Sequence, residues 1–295
     1  MVLRSIHDVP APAKLNLFLH VLGRRPDGYH LLQSPFVLID WADALHLEVR
    51  HDGRLLRHDL GPALPADDLC LRAARALQAQ SGTTLGADIS IMKNVPWGAG
   101  LGGGSSDAAS TLLALNRLWG LGWPRERLAA LGLSLGADVP FFIGGQHAFV
   151  EGIGERLTPI ELPPMAFAVV KPEAAIATRD IFTHPALVRD SEPVILAGYL
   201  EHVRQKTDQG FGKNDLQRAA QAVCEEVGEA ARWLEDRFGN SRMTGSGSAV
   251  FSRLKTDSGK SGSPVATFPE AEMAAGWVGR MCRSLVQHPL RDWAD

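Results

Sequence analysis

Two early segments alternate apolar and polar residues with a period of two. Across residues 15–21 the odd positions Leu15, Leu17, Leu19 and Val21 are aliphatic, and across 45–50 Leu45, Leu47 and Val49 alternate with His46, Glu48 and Arg50. Period two with one wet face predicts half-buried strands, which favours an antiparallel or mixed sheet. After Asp67-Asp68 the spacing becomes helical at Leu69, Ala73 and Leu77, with the acidic pair at the favourable N-terminal end. Ile89 and Ile91 mark a short strand that runs into Pro96 and a glycine run. From Ser105 the spacing of Ala108, Thr111, Leu112 and Leu115 predicts a helix that stops at Gly120, and residues 125–133 predict another.

Residues 148–160 read as a hairpin turning near Gly152 and Gly154, and Pro163-Pro164 then marks a boundary between a domain at 1–162 and one at 163–295. Beyond it the pattern predicts a strand at 165–170, one helix through Leu216, Ala219, Ala220, Val223 and Val227, a strand at 248–254 and a helix around 273–281. Residues 255–264 are rich in Ser, Gly, Lys and Asp without apolar periodicity, and predict a loop.

The chain has 295 residues, 45% hydrophobic and 21% charged, an ordinary globular mixture with room for two packed lobes. A formal net charge of -3 lacks the basic surplus that meets many phosphates, so nucleic acid is not the expected partner; Gly23-Arg24-Arg25 remains a local site for a small anion. Cys70, Cys224 and Cys282 are too far apart for a metal or redox motif, and their odd number argues for buried thiols in a reducing cytosol. The apolar run at 15–22 is interrupted by Asn16 and His20 and is too short for a bilayer, so the expected location is cytoplasmic, with no membrane partner.

The most informative stretch is Pro96-Trp97-Gly98-Ala99-Gly100-Leu101-Gly102-Gly103-Gly104-Ser105-Ser106, followed by Asp107-Ala108-Ala109. Glycine fills five of the seven positions from Gly98 to Gly104. Such a run is entropically costly as a plain loop, but it lets backbone N–H groups approach an anion without obstruction by Cβ atoms. The helix that follows points its free amides and positive dipole end back at the loop. Together they ask for polyphosphate. Ser105 and Ser106 add hydroxyls, with Ser106 assigned to a phosphate-bound Mg²⁺. Asp107 in the first helical turn favours the positive dipole end, with a water-mediated Mg²⁺ contact as its other reading.

Two other phosphate motifs fail. Gly98-x-Gly100-x-x-Gly103 matches a dinucleotide fingerprint, yet Gly120-Leu121-Gly122-Trp123-Pro124 stands where its second strand should form. Gly259-Lys260-Ser261 ends like a Walker A loop, but the required first glycine falls on Leu254.

Four segments in order carry a family resemblance: 12–19 with 25–30, the glycine run 96–109, Leu135-Gly136-Ala137-Asp138-Val139-Pro140-Phe141-Phe142, and Met243-Thr244-Gly245-Ser246-Gly247 through Phe251. Together they span residues 12 to about 251 and resemble the GHMP kinases, in particular a branch whose substrate is a cytidine diphosphate derivative. Ser246 stands where that pattern has a threonine, and no motif matches after Leu254. The resemblance implies an α+β, two-lobed GHMP kinase fold, with an N-terminal lobe of mixed sheet and helices and a C-terminal ferredoxin-like lobe. It also implies ATP and Mg²⁺ as cofactors, a small-molecule substrate, and a monomer or weak homodimer.

By their own chemistry the remaining residues leave two readings each. Asp138, walled by Val-Pro-Phe-Phe, is either a cap or a carboxylate kept for its charge; the resemblance makes it the general base or orienter of the attacking hydroxyl. Lys14 is either an edge lysine or, as the resemblance implies, a cation beside that Asp, with Asn16 on the same strand face. Tyr29-His30 after the Pro26-Asp27-Gly28 turn is either an aromatic pair closing a hairpin or, by resemblance, the seat of the cytosine. There Tyr29 stacks on the base, His30 bonds its edge, and Phe182 offers the opposite face. Gly245-Ser246-Gly247 is either a tight turn or a second backbone approach to the phosphates. The rival readings are a GHMP kinase for a mevalonate- or homoserine-like substrate, which Tyr29-His30 disfavours, and a non-catalytic nucleotide sensor, which Lys14 and Asp138 disfavour.

Overall fold

A computed structural model describes residues 3–205, 211–254 and 268–295. The first lobe is a mixed sheet of β1 (Ser5–Asn16), β2 (His20–Arg24), β3 (His30–Arg50), β4 (Leu55–Asp59), β5 (Gly86–Met92), β6 (Ala148–Gly152) and β7 (Arg156–Pro159). Its order is β4-β5-β3-β6-β7, with β1 and β2 both paired to β3. Only the β4–β5 pair is parallel. Helices α1 (Leu69–Ser81), α2 (Gly103–Leu118), α3 (Arg125–Leu135) and α4 (Val139–Gly144) cover one face.

The second lobe is an antiparallel sheet of β8 (Ala166–Lys171), β9 (Ser241–Met243), β10 (Val250–Arg253) and β11 (Val278–Arg283), in the order β11-β8-β10-β9. Its helices are α5 (Thr178–Thr183), α6 (Leu196–Arg204), α7 (Gln217–Val223) and α8 (Glu225–Phe238). Period-two alternation makes this sheet two-sided. Ala168 and Val170 pack under α7 and α8 with Ala219, Val227 and Leu234, while Phe167 and Val169 face Leu15, Val37 and Ile39 of the first sheet. The two sheets therefore share a dry seam, and the cleft opens at its edge.

The structure corrects three sequence expectations. The alternating run at 15–21 is not one strand. Between β1 and β2 the chain stays beside β3, the Leu17 amide donating to the Pro35 carbonyl at 3.0 Å, but it turns other amides to the second lobe: Asn16 donates to Thr244 Oγ1 at 2.9 Å, Leu19 to the Lys213 carbonyl at 2.9 Å, and Val21 to Asp215 Oδ2 at 2.7 Å. The helix expected through 216–227 breaks at Cys224, which takes an extended conformation between α7 and α8. Around 273–281 there is a short 3₁₀ turn and then β11, because the exposed edge of β8 takes up residues 278–283 as a strand. The loop expectation at 255–264 lies outside the described residues.

After β11 the chain returns to the first lobe. The Leu285 amide donates to the Leu38 carbonyl at 2.9 Å and the His288 amide to Gly145 at 2.8 Å, and Leu290 is buried in the core beneath α2. Arg125 fastens this tail, donating to the carbonyls of Ile143, Arg291 and Ala294.

Candidate functional site

The cradle is built where β5 hands over to α2. Gly102 is the N-cap of α2 in a left-handed conformation, with no side-chain capping bond, so the first-turn amides of Gly103, Gly104 and Ser105 are left to whatever enters the cleft. A Cβ at Gly102 would crowd Phe142 and the Lys14 stem at 3.0–3.2 Å. At Gly100, with φ +71°, a Cβ would lie 2.3 Å from the Thr244 carbonyl, because the second glycine turn abuts the first backbone to backbone. Ala249 N donates to the Ala99 carbonyl at 3.1 Å, and Asn214 Nδ2 donates to the Gly245 carbonyl at 2.9 Å. Gly245, Ser246 and Gly247 thus stand at the cleft wall as a turn that also closes the cradle.

The cleft holds about 410 Å³ and is lined by the cradle, the second glycine turn, Lys14, Asn16, Lys93, Asp138, Thr178 and Phe182. Asp138 sits immediately before α4, held by the buried Phe141 and Phe142, and its carboxylate lies 3.8 Å from Lys14 Nζ. Lys14 itself is only 3% exposed. Its ammonium donates to Asn16 Oδ1 at 2.6 Å and to the Gly100 carbonyl at 3.0 Å, and lies 4.8 Å from the Phe36 ring centre. Burial pulls its pKa below the ordinary lysine value, while the Asp138 charge and hydrogen bond pull the other way. Asn16 Nδ2 donates to Ser34 Oγ at 2.8 Å, so Asn16 holds Lys14 from below.

Two assignments around the first turn of α2 change. Ser106, expected to hold Mg²⁺, has a fully buried hydroxyl with no hydrogen-bond partner and is not part of the cleft wall; Ser105 is. Asp107 faces inward too: its Oδ2 accepts from Lys93 Nζ at 2.5 Å, and Lys93 also pairs with the buried Asp43. Burial pushes the Asp107 carboxyl above the ordinary carboxylate range, while the Lys93 charge pulls it back. Asp43 in turn accepts from the amides of Asn94 and Val95 at 2.6 and 2.7 Å, which pins the segment between β5 and the cradle. The Asp43–Lys93–Asp107 cluster was invisible in sequence because its members come from β3, the segment after β5 and α2.

On the turn between β2 and β3, Tyr29 stands 59% exposed whereas His30 is buried; neither lines the cleft, which His30 adjoins through Phe182. Phe182 on α5 lines the cleft and stacks on the His30 ring, with centroids 5.0 Å apart and planes inclined by 29°. It meets His30 rather than Tyr29. Arg189, another residue the sequence did not single out, donates from Nε to His30 Nε2 at 3.2 Å.

A glycine cradle at a helix start, opposite a paired lysine and aspartate in one cleft, is the arrangement of a phosphoryl-transfer site. The comparisons agree. The family model described as GHMP kinases N terminal domain matches residues 68–146. The 4-diphosphocytidyl-2-C-methyl-D-erythritol kinase of Methylibium petroleiphilum is 63% identical over 100% of both chains, and that of Paracidovorax citrulli is 55% identical over 99% of both. A crystal structure of 4-(cytidine 5'-diphospho)-2C-methyl-D-erythritol kinase superposes with a TM-score of 0.72 at 37% identity, over 85% of this chain and 89% of that one. A mevalonate kinase from L. major, at 15% identity and TM-score 0.62 over 96% and 97%, shares the fold alone. The chain belongs to the GHMP kinases, in the family of the 4-diphosphocytidyl-2-C-methyl-D-erythritol kinases.

Proposed function

We propose that this chain transfers the γ-phosphoryl group of ATP to the 2-hydroxyl of 4-diphosphocytidyl-2-C-methyl-D-erythritol, a step of non-mevalonate isoprenoid precursor synthesis. The supporting observation is the placing of Lys14 and Asp138, 3.8 Å apart, in the same cleft as the glycine cradle. The substrate oxygen attacks the γ-phosphorus, the bond to the bridging β–γ oxygen breaks, and ADP leaves with that electron pair. The hydroxyl proton passes to the Asp138 carboxylate, which orients the nucleophile as it does so. Lys14, buried and fixed by Asn16, pairs with Asp138 and offsets charge on the transferring group.

Residues 96–105 and the turn 245–247 surround the triphosphate, with the first-turn amides of α2 and the Ser105 hydroxyl as donors. Mg²⁺ fits as an ion carried by the nucleotide. No group of three or more acidic, His or Cys side chains is assembled to hold a metal among the described residues, while Ser105 and Asp138 each bring an oxygen to the cleft. When bound, the ion neutralises phosphate charge.

Tyr29, His30 and Phe182 take the cytosine, Tyr29 closing over the base from the exposed turn and His30 meeting its edge. The nucleotide lobe is assigned to residues 1–162 and the closing lobe to 163–295, with the final residues folded back on the first. No described helix is long and apolar enough to cross a membrane. One chain contains every proposed site residue, which suits a cytoplasmic monomer or weak homodimer.

ADP release measured with the cytidyl substrate, mevalonate and homoserine tests the assignment. Turnover with the cytidyl substrate should exceed the other two by orders of magnitude; equal rates would remove the base pocket from the account.

A further inference from the structure

Arg189 is held more firmly than a surface arginine needs to be. Its Nη1 donates to the Leu187 carbonyl at 3.1 Å, and its Nη2 to the carbonyls of Phe182 and His184 at 3.1 and 3.2 Å. All three carbonyls belong to the end of α5 or the turn after it, so the guanidinium is tied to the helix that carries Phe182. A further donor, Nε–H, points at His30 Nε2 at 3.2 Å. Phe182 lies against the face of the same imidazole. One ring is thus clamped from its side and its face by a single short helix and its exit turn.

The chemistry of the pair has one solution. A guanidinium has no lone pair and can only donate. The imidazole nitrogen that receives Nε–H must therefore be bare, and in the neutral ring the proton sits on Nδ1. A second proton on the ring would set two cations side by side. Consistently, His30 is held below the ordinary histidine pKa by burial first, and then by the positive charges of Arg189 and Arg24.

We propose that Arg189 is a specificity-determining positioning residue: it fixes His30 as the Nδ1–H tautomer, and that donor makes the base pocket accept cytosine and reject uracil. The inference rests on the reading of His30 as the residue that meets the base edge. Cytosine N3 is an acceptor and pairs with Nδ1–H. Uracil N3 carries a proton, so two donors would meet in a buried place with neither satisfied. A site built around one polar pairing discriminates strongly against a partner that cannot make it, which sets an expected ratio of at least about 100-fold in kcat/KM. Without the arginine an imidazole is free to move its proton to Nε2 and present a bare Nδ1, which no longer distinguishes against N3–H.

The test uses full-length protein labelled with ¹⁵N-histidine. Long-range ¹H–¹⁵N correlation spectra, with His30 assigned through His30→Gln, should give a protonated Nδ1 and a bare Nε2 in the wild type. Arg189→Met should move the proton towards Nε2 and collapse the kcat/KM preference for the cytidine over the uridine form of the substrate, acting through KM more than kcat. Arg189→Lys keeps a donor and should retain the wild-type tautomer and most of the preference. A wild-type spectrum with the proton on Nε2 would overturn the proposal. So would an Arg189→Met variant that keeps both tautomer and preference. If Arg189→Met does not fold, the wild-type spectrum and Arg189→Lys decide the matter. His30→Ala separates the two layers: unchanged kcat/KM for the cytidyl substrate removes His30 from the base edge, whatever the tautomer proves to be.

Discussion

Burying the Lys14 ammonium works against its charge, and the groups around it are arranged to keep that charge in place. Asn16 Oδ1, the Gly100 carbonyl and the Asp138 carboxylate offset a desolvation cost that would otherwise favour the neutral amine. Because the folded pKa lies below the unfolded one, the folded state releases its proton first as pH rises. The cost is therefore present below the folded pKa and is relieved between that value and the unfolded value near 10.5. Lys14→Met should abolish this alkaline gain in stability, seen as a flatter dependence of Tm on pH, while lowering kcat by about 10²-fold or more. Asp138→Asn should lose roughly 10²–10⁴-fold in kcat, the usual share of a general base, with ATP affinity by calorimetry unchanged. Wild-type turnover in that variant would remove Asp138 from the chemistry. At this scale the sequence was most legible where a residue's neighbours in the chain are also its neighbours in space. Asp138 with its apolar wall and Lys14 with Asn16 are of this kind; the partners of Asp107 and His30 are not.

Among the elements, the glycine cradle shows how tightly backbone must approach backbone. Gly100 meets Thr244 and Gly247 with no room for a methyl group, and its φ of +71° disfavours any side chain. Gly100→Ala should shift both glycine turns, costing about 1–3 kcal/mol of backbone strain and weakening ATP binding by at least about tenfold. Calorimetric titration with ATP reads this directly, and an unchanged Kd would mean that the turns do not act together. The first helix of the chain and α2 were readable because their apolar stripes and caps are local signals. β11 was not: Met273, Trp277 and Met281 carry a spacing that suits a helix, yet the free edge of β8 recruits the segment as a strand. The break at Cys224 escaped for a related reason, since the apolar stripe continues through it while the backbone turns extended between α7 and α8.

For the whole molecule, the return of the C-terminal residues to the first lobe joins the two halves. Leu290 is buried against the α2 core, and Arg125 holds the carbonyls of Ile143, Arg291 and Ala294, one of which ends the helix that begins after Asp138. Leu290→Ala should destabilise the protein by about 2–5 kcal/mol, measured by denaturant unfolding, since it removes a core side chain that nothing nearby replaces. The two-lobed α+β fold was legible through the resemblance carried by the four motif segments; this crossing back was not, because a short polar and aromatic tail carries no periodicity. At this scale the proposed activity is phosphoryl transfer between two ligands held in one cleft. A ³¹P NMR time course of wild type and Asp138→Asn with ATP and 4-diphosphocytidyl-2-C-methyl-D-erythritol tests it most directly. The wild type should build a new phosphomonoester signal in step with ADP, and the variant should show almost none. ADP appearing with inorganic phosphate and no phosphomonoester, or equal product from both proteins, would contradict the account.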